Sequence, residues 1–317
     1  MNVEKCFICG ESMRAWLNMP IDGKTFQPTP YGKVQRCVGC GHGAVQPMPK
    51  ASEVPQFYAL DAYYTQGMSH MPNEPDGILD KILTKLAWTF DDGVDLGEAL
   101  CAMRLSDGSM VCEIGCGHAK NLVHLQGQGH TVVGVDPDSK TVAQAAEIGV
   151  EVLLGTGEVL PERIRESKFD LVIMSHSLEH CIDPMLVAKN VASILRPGGR
   201  FVCEVPNSAC KHFLWNNICS EMFDAPRHLH FYNVGSLRRT IENAGLNIEL
   251  VGYTGFTRHH GLNWRRVEQK ICSELASAGG ACPPGHTFFR SLMLWLATFK
   301  APASTKYDSV RVVAVKY

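Results

Sequence analysis

The sequence predicts an α/β protein, an open parallel sheet with helices between its strands, preceded by a small module that a metal folds. Three observations carry this. From residue 110 onward the runs MVCEIG, TVVGVD, VEVLLG, FDLVIM, GRFVCEV, NIELVGY and VRVVAVK are rich in β-formers and are mostly separated by helical patterns, the texture of parallel βαβ units with right-handed crossovers. The first run feeds a turn with two glycines, and the second ends in an acid. Ahead of them, residues 1–50 hold four cysteines in two pairs, several Pro and Gly, and little apolar periodicity.

The 317 residues suffice for one large domain or a medium domain with an appendage. Apolar residues make up 45% and charged residues 20%, the profile of an ordinary soluble globular protein, which sets aside disorder and collagen-like repeats. Thirty Lys+Arg against 32 Asp+Glu leave a net charge of −2, so no bulk positive field exists to hold a polyanion, and nucleic acid is disfavoured as the main partner. The apolar run from Leu292 to Phe299 is too short to span a bilayer, so no membrane span is expected. The opening MNVEKCFICG lacks signal-peptide character, and an odd number of cysteines, thirteen, suits reduced thiols, so the expected location is cytoplasmic. The oligomeric state is left open.

The chain divides into a zinc-binding module at 1–50, a linker with N-terminal helices at 51–105, and the main domain at 106–317 with a helical insertion at about 256–305. The linker opens on Phe57, Tyr58, Tyr63 and Tyr64 and continues with Ile78, Ile82, Leu83, Leu86 and Ala87 at helical spacing. The two last strands have no helix-length gap of the same kind; residues 256–305 between them read as irregular segments plus an amphipathic stretch, Phe288 to Phe299, placed to cover a substrate site or to pack on the sheet.

Cys6-Phe-Ile-Cys9-Gly10 and Cys37-Val-Gly-Cys40-Gly41 are two C-x2-C-G knuckles. Zn²⁺ takes four thiolates in a tetrahedron, each knuckle supplies two from one tight turn, and the following Gly lets backbone N–H groups face the sulfurs. A redox dithiol needs only one such pair, and unrelated buried cysteines need none. Four closed thiolate positions leave no place for a water, so the metal is expected to fold the module and not to catalyse.

In the main domain, Val111-Cys112-Glu113-Ile114-Gly115-Cys116-Gly117-His118 is a strand entering a glycine turn that lets the main chain approach a ligand closely. A dinucleotide fingerprint requires a third Gly where Lys120 stands, which disfavours NAD. About twenty residues on, Val132-Val133-Gly134-Val135-Asp136 ends a strand with an acid suited to gripping a ribose diol. A plain βαβ unit with a capping Asp136 is the alternative.

In order along about residues 110–255, EIGCG, the acid of VVGVD, GTGE, FDLVIMSHSLEHCIDP and LRPGGRFVCEVPN resemble the class I S-adenosylmethionine (SAM)-dependent methyltransferases. The resemblance implies a Rossmann-like seven-stranded SAM-methyltransferase sheet, with Glu113, Gly115 and Gly117 lining the methionine end of SAM, Asp136 on the ribose hydroxyls, and Thr156, Gly157 and Glu158 beside the adenine. Cys116, Pro137 and His176 complete the implied cofactor pocket. Two positions depart from the family: its third loop Gly is Ala119, a small residue at little cost, and the acid often found beside the adenine is Thr156. Downstream, Asp224-Ala225-Pro226-Arg227-His228-Leu229-His230-Phe231 and SLRRTIENAGL look like the bacterial small-molecule methyltransferases. With the cysteine module, the chain also resembles the sugar C-methyltransferases that act on nucleotide-linked deoxysugars. Those enzymes carry His-Glu-His where this chain has His228-Leu229-His230, and a longer C-terminal domain.

Methyl transfer from a sulfonium is an in-line displacement, so alignment supplies most of the catalysis and a base removes one acceptor proton. His176, Glu179 and His180 follow the FDLVIM strand at i, i+3 and i+4, which on a helix puts them on one face. That spacing permits a metal site of two imidazoles and a carboxylate, and ubiquinone-type O-methyltransferases have a comparable acid-rich segment. The better supported reading is that Leu178-Glu179-His180 shapes the pocket, as in members of the family without a metal. His228 and His230, two apart, face opposite ways if extended, so one can reach the acceptor while the other packs; a purely structural role for both is the alternative. Cys112, Cys116 and Cys203 lie in or beside core strands as small buried hydrophobes. The expected function is therefore methyl transfer to a small-molecule acceptor, a sugar or natural-product intermediate. Its rivals are a zinc-module-guided RNA methyltransferase, disfavoured by the neutral charge, and a non-catalytic SAM-fold interaction protein, disfavoured by the intact loop and Asp136.

Overall fold

The computed structural model describes residues 5–58, 77–281 and 283–317; Tyr63 and Tyr64 of the aromatic stretch lie outside them. Three short strands come first, β1 (Met13–Asn18), β2 (Lys33–Cys37) and β3 (Gly43–Val45), followed by helices α1 (Ile78–Thr89) and α2 (Leu96–Ala102). The alternating region then runs β4 (Met110–Ile114), α3 (Lys120–Gly127), β5 (Thr131–Asp136), α4 (Ser139–Glu147), β6 (Val152–Leu154), α5 (Glu162–Glu166), β7 (Phe169–Ser175), α6 (Pro184–Ile194) and β8 (Leu195–Pro206). The rest is α7 (Lys211–Asn216), β9 (His230–Phe231), α8 (Val234–Glu242), β10 (Asn247–Thr254), α9 (Leu262–Ser277), α10 (Phe288–Thr298), α11 (Ala303–Lys306) and β11 (Ser309–Val315).

The main sheet has seven strands in the order β10-β11-β8-β7-β4-β5-β6. β4 to β8 are parallel, while β11 inserts antiparallel between β8 and β10. The parallel centre explains its composition: Leu171, Val172, Ile173 and Met174 of β7 and Phe201, Val202 and Cys203 of β8 are all buried, because helices cover both faces of such a sheet. Cys112 and Cys203 are buried members of this core. From β4 the chain crosses to β5 on one side, and β7 lies on the other. That switch in direction opens a crevice at the carboxyl ends of β4 and β5, where ligands bind in open α/β sheets.

A second sheet, β1-β2-β3-β9, joins the first 50 residues to the main domain. Its fourth strand comes from far downstream: Gly43 pairs with Phe231 and Ala44 with His230. Arg227 clamps the junction from one residue before His228. Fully buried, its guanidinium donates to both carboxylate oxygens of Asp22 at 2.5 and 2.9 Å and to Asp224 at 2.8 Å. Arg227→Ala would leave two carboxylates buried without that cation, and urea unfolding is expected to show a loss of about 3–5 kcal/mol.

Between β10 and β11 lie two longer helices, α9 and α10. The sequence shows α10 by its apolar stripe but hides α9, whose buried face includes the charged Arg265 and Glu268. Glu268 is tolerated there because Trp264 Nε1, Asn216 Nδ2 and the Glu221 amide donate to it at 3.0, 3.0 and 3.1 Å, and His212 and His286 flank it. In α1, Leu83 and Ala87 are buried while Ile78, Ile82 and Leu86 face outward. Among the described residues no helix is long and apolar enough to cross a membrane.

Candidate active site

The crevice is built from backbone first. Leaving β4, the chain turns at Gly115 (φ 74°) and Gly117 (φ 49°), conformations that favour glycine. A Cβ on Gly115 would lie 2.5 Å from Ser177 Cβ, whereas one on Gly117 would project into open space, so Gly117 keeps a cradle clear at the mouth. Ala119 also takes a left-handed φ of 52°, which costs alanine roughly 1 kcal/mol more than glycine. Buried Cys116 packs beneath the loop. Asp136, at the end of β5, accepts hydrogen bonds from the Gly117 and Asp138 amides, both at 3.0 Å, so its carboxylate is fixed beside the loop, and burial raises its pKa. Pro137 follows it on the exposed lip.

Glu113 lies under the same loop, 2% exposed. Asn121 Nδ2 donates to its Oε1 at 2.6 Å, and Oε2 is buried with no hydrogen-bond partner among the described residues. Burial pushes this carboxyl up to about 8, although the Asn121 bond opposes the rise. The Gly155 amide donates to Asp136 O at 3.1 Å, which sets Thr156, Gly157 and Glu158 beside the acid. Thr156 Oγ1 is occupied in its own turn by the Val159 amide at 3.0 Å, and Gly157 backs onto Val187. Glu158 is turned to the segment after β7, accepting from the Ile182 amide at 2.8 Å.

That segment carries the titratable cluster. His176 takes φ 50°, and Leu178–His180 form a single 3-10 turn, so the triplet converges by a kink and not on a helix face. Glu179 is fully buried, with His176 Nδ1 at 3.6 Å and His180 Nε2 and His228 Nε2 each at 3.9 Å. His176 Nε2 also lies 3.4 Å from Glu204, a β8 residue that accepts from Arg311 Nε at 2.7 Å. Burial alone would lower the His176 pKa, but Glu179 and Glu204 overcome it and raise it to about 10.

His228 and His230 part company, as an extended segment requires. The His228 ring packs edge-on against His180, centroids 4.8 Å apart. His230 faces the N-terminal sheet, with Nδ1 3.1 Å from His42 Nε2 and Phe7 edge-on at 5.3 Å. One histidine of the pair thus joins the cluster with Glu179, and the other anchors β9.

In the N-terminal module, Cys6 Sγ lies 3.6 Å from Cys40 Sγ and Cys9 Sγ 3.4 Å from Cys37 Sγ, all four sulfurs falling within 4.8 Å of one another. The Gly39 and Cys40 amides point at Cys37 Sγ at 3.4 Å. A tetrahedral Zn–S shell has sulfurs about 3.8 Å apart, so the donor set and its spacing are compatible with zinc.

The methyltransferase domain family matches residues 95–251. A ubiquinone biosynthesis O-methyltransferase of Pseudomonas putida is 30% identical over 171 residues, covering 49% of this chain and 73% of the relative. The chain belongs to the class I SAM-dependent methyltransferases. A ubiquinone biosynthesis O-methyltransferase of Coxiella burnetii is 27% identical over 164 residues, covering 48% of this chain and 68% of the relative. Among solved structures, a methyltransferase in complex with the Haloferax volcanii Trm112 methyltransferase activator has a TM-score of 0.50 at 18% identity, over 74% of this chain and 92% of that one, a likeness of fold.

Several residues of this methyltransferase site carried no readable signal in the sequence. Glu204 sits inside an apolar strand, where its charge at the crevice end was the one available hint. Arg311, His42 and Tyr58, whose hydroxyl lies 2.9 Å from His180 Nδ1, reach the site from elements 100 or more residues away, as the Arg311–Glu204 and Tyr58–His180 pairs show at separations of 107 and 122 residues.

Proposed function

We propose that this methyltransferase transfers the methyl group of SAM to a small-molecule acceptor, sugar-like or a natural-product intermediate. The observation that carries the proposal is the buried cluster of Glu179, His180 and His228 beside the cofactor crevice, on a segment that the N-terminal module holds through β9 and Arg227. That module spends its edge strand β3 on β9 and its Asp22 on Arg227, so it serves as a wall of the acceptor site more naturally than as a reader of RNA. On this reading residues 1–50 are a zinc module, held by Cys6, Cys9, Cys37 and Cys40, residues 51–105 connect, and residues 106–317 form the methyltransferase domain.

SAM, when bound, supplies a sulfonium methyl that an acceptor lone pair attacks in line. Glu113, Gly115, Cys116 and Gly117 hold its methionine end, Asp136 and Pro137 its ribose, and Thr156, Gly157 and Glu158 the adenine side; the orphaned Glu113 Oε2 and the clear space over Gly117 fit such a guest. His176 brings a positive charge to the junction of cofactor and acceptor. His228 and His180 orient the acceptor and draw off its proton, and His230 holds the segment in place. The test is product mass analysis with labelled SAM against nucleotide-linked sugars, small phenols and RNA. Label in RNA alone would refute the proposal.

Two binding results follow. Asp136→Ala is expected to weaken SAM by about 2 kcal/mol in titration calorimetry, the scale of hydrogen bonds to a charged group. In the empty site Glu113, with its pKa near 8, is mostly protonated at about pH 7, and a cationic ligand favours the carboxylate, so binding releases a proton. SAM affinity is then expected to rise up to about tenfold from about pH 7 to about pH 9 and to level off above. Calorimetry in buffers of different ionisation enthalpy reads the proton directly, and Glu113→Gln should abolish it.

A further inference from the structure

The helical insertion between β10 and β11 reaches the candidate active site through one turn of the chain, Ser220 to Phe223. His228 Nδ1 lies 2.9 Å from Met222 O. A carbonyl oxygen only accepts, so the ring carries its proton on Nδ1 and leaves the Nε2 lone pair on the side of Glu179, 3.9 Å away. Burial lowers the His228 pKa to about 4, so the imidazole is neutral at about pH 7, in the tautomer that a base acting through Nε2 requires.

A backbone carbonyl holds that proton only while its own turn stays in place. The turn closes on itself from Phe223 N to Ser220 O at 2.9 Å, and it is clamped from two sides. On one, Lys24 of the N-terminal module pairs with the Glu221 side chain. On the other, the Glu221 amide donates at 3.1 Å to Oε1 of Glu268 in α9. Glu268 is 1% exposed, and its charge is made tolerable by Trp264 Nε1, His212 Nε2 and Asn216 Nδ2, each at 3.0 Å, together with His286 Nδ1. Burial alone would raise the Glu268 pKa, but His212 and His286 outweigh it and hold the carboxyl below the usual range. The turn therefore rests on a fixed, ionised acceptor, which makes a stronger hydrogen bond than a neutral one.

We propose that Glu268 is a positioning residue for methyl transfer: by holding the Glu221 amide it fixes the Met222 carbonyl, which keeps the proton of His228 on Nδ1 and leaves Nε2 bare for the acceptor. The insertion then supports the acceptor site from behind without touching the acceptor. The inference rests on the reading of His228 as a group that draws off the acceptor proton.

Nitrogen NMR of the full-length protein with isotopically labelled histidines reads the tautomer, the His228 signals being those lost in His228→Gln. Wild type should show a protonated Nδ1 and a bare Nε2 at about pH 7. Glu268→Asp keeps the buried charge and withdraws its oxygens by about 1.5 Å, one carbon–carbon bond, out of reach of the Glu221 amide. It should leave zinc content unchanged and SAM affinity within a few-fold, let His228 populate both tautomers, and lower kcat about 10- to 100-fold with little change in the acceptor KM. Should that variant lose zinc or SAM binding, Glu268→Gln, in which one accepting oxygen becomes a donor, is read in the same way. A wild-type proton on Nε2, or a folded variant whose His228 keeps a single tautomer, overturns the inference even if kcat falls. Mixed tautomers with kcat unchanged support the positioning contact and refute instead the reading of His228 as the base.

Discussion

His228→Ala is expected to lower kcat by about 10²–10⁴-fold while leaving SAM affinity within a few-fold of wild type. The separation follows from geometry. The crevice proposed for SAM is made by the β4 and β5 loops around Glu113 and Asp136, whereas His228 packs on His180 and Glu179 from the segment before β9. His230→Ala should behave differently. Its ring stacks with His42 in the junction of the two sheets, so its loss should lower thermal stability and reduce kcat through the position of the whole segment. Titration calorimetry with SAM and steady-state rates for both variants make the comparison; near wild-type kcat in His228→Ala would move the acceptor chemistry to His176.

Cys37→Ser carries the second large effect. Wild-type protein is expected to hold about one structural zinc per chain, and a cysteine-bound zinc contributes on the order of 10 kcal/mol to the folding of a module with little core of its own. Loss of one thiolate should release the ion and unfold β1 to β3. Because β3 pairs with β9, and Val45 N donates to Leu229 O at 2.9 Å, that unfolding should loosen the His228–His230 segment and abolish methyl transfer, while the crevice in the main sheet still binds SAM. Metal analysis, far-ultraviolet circular dichroism and SAM titration on one sample check all three. Full zinc content in the variant would contradict the assignment of the ligands.

What the sequence showed and what it hid divide along local and distant contacts. The glycine turn, the acid of β5 and the paired cysteines are legible because each is a contiguous stretch whose residue types are dictated by a backbone conformation or a donor set. The antiparallel entry of β11 is not, since a fully buried strand reads the same in either direction. Helix α9 escapes periodicity because its inward positions include Arg265 and Glu268, made tolerable by Asp80 of α1 for the first and by partners from α7 and the loops beyond it for the second. The β3–β9 pairing is invisible for a similar reason: β9 is two residues long, and its partner lies nearly two hundred residues upstream. The i, i+3, i+4 spacing of His176, Glu179 and His180 suggested a helix face; a left-handed His176 and a 3-10 turn bring them together instead, and His228, the decisive addition, comes from another segment.

On the proposed function, a methyl group passes from SAM to a small acceptor at the cluster of Glu179, His180 and His228. Incubation with SAM carrying an isotopically labelled methyl group, followed by mass analysis of a panel of nucleotide-linked sugars and other small acceptors, tests it most directly. One labelled methyl group is expected on a small-molecule product with the wild-type protein, and a loss of about 10²-fold or more in its rate of formation with His228→Ala at saturating SAM. Labelling confined to RNA or protein, or a product formed equally fast by the variant, would contradict it.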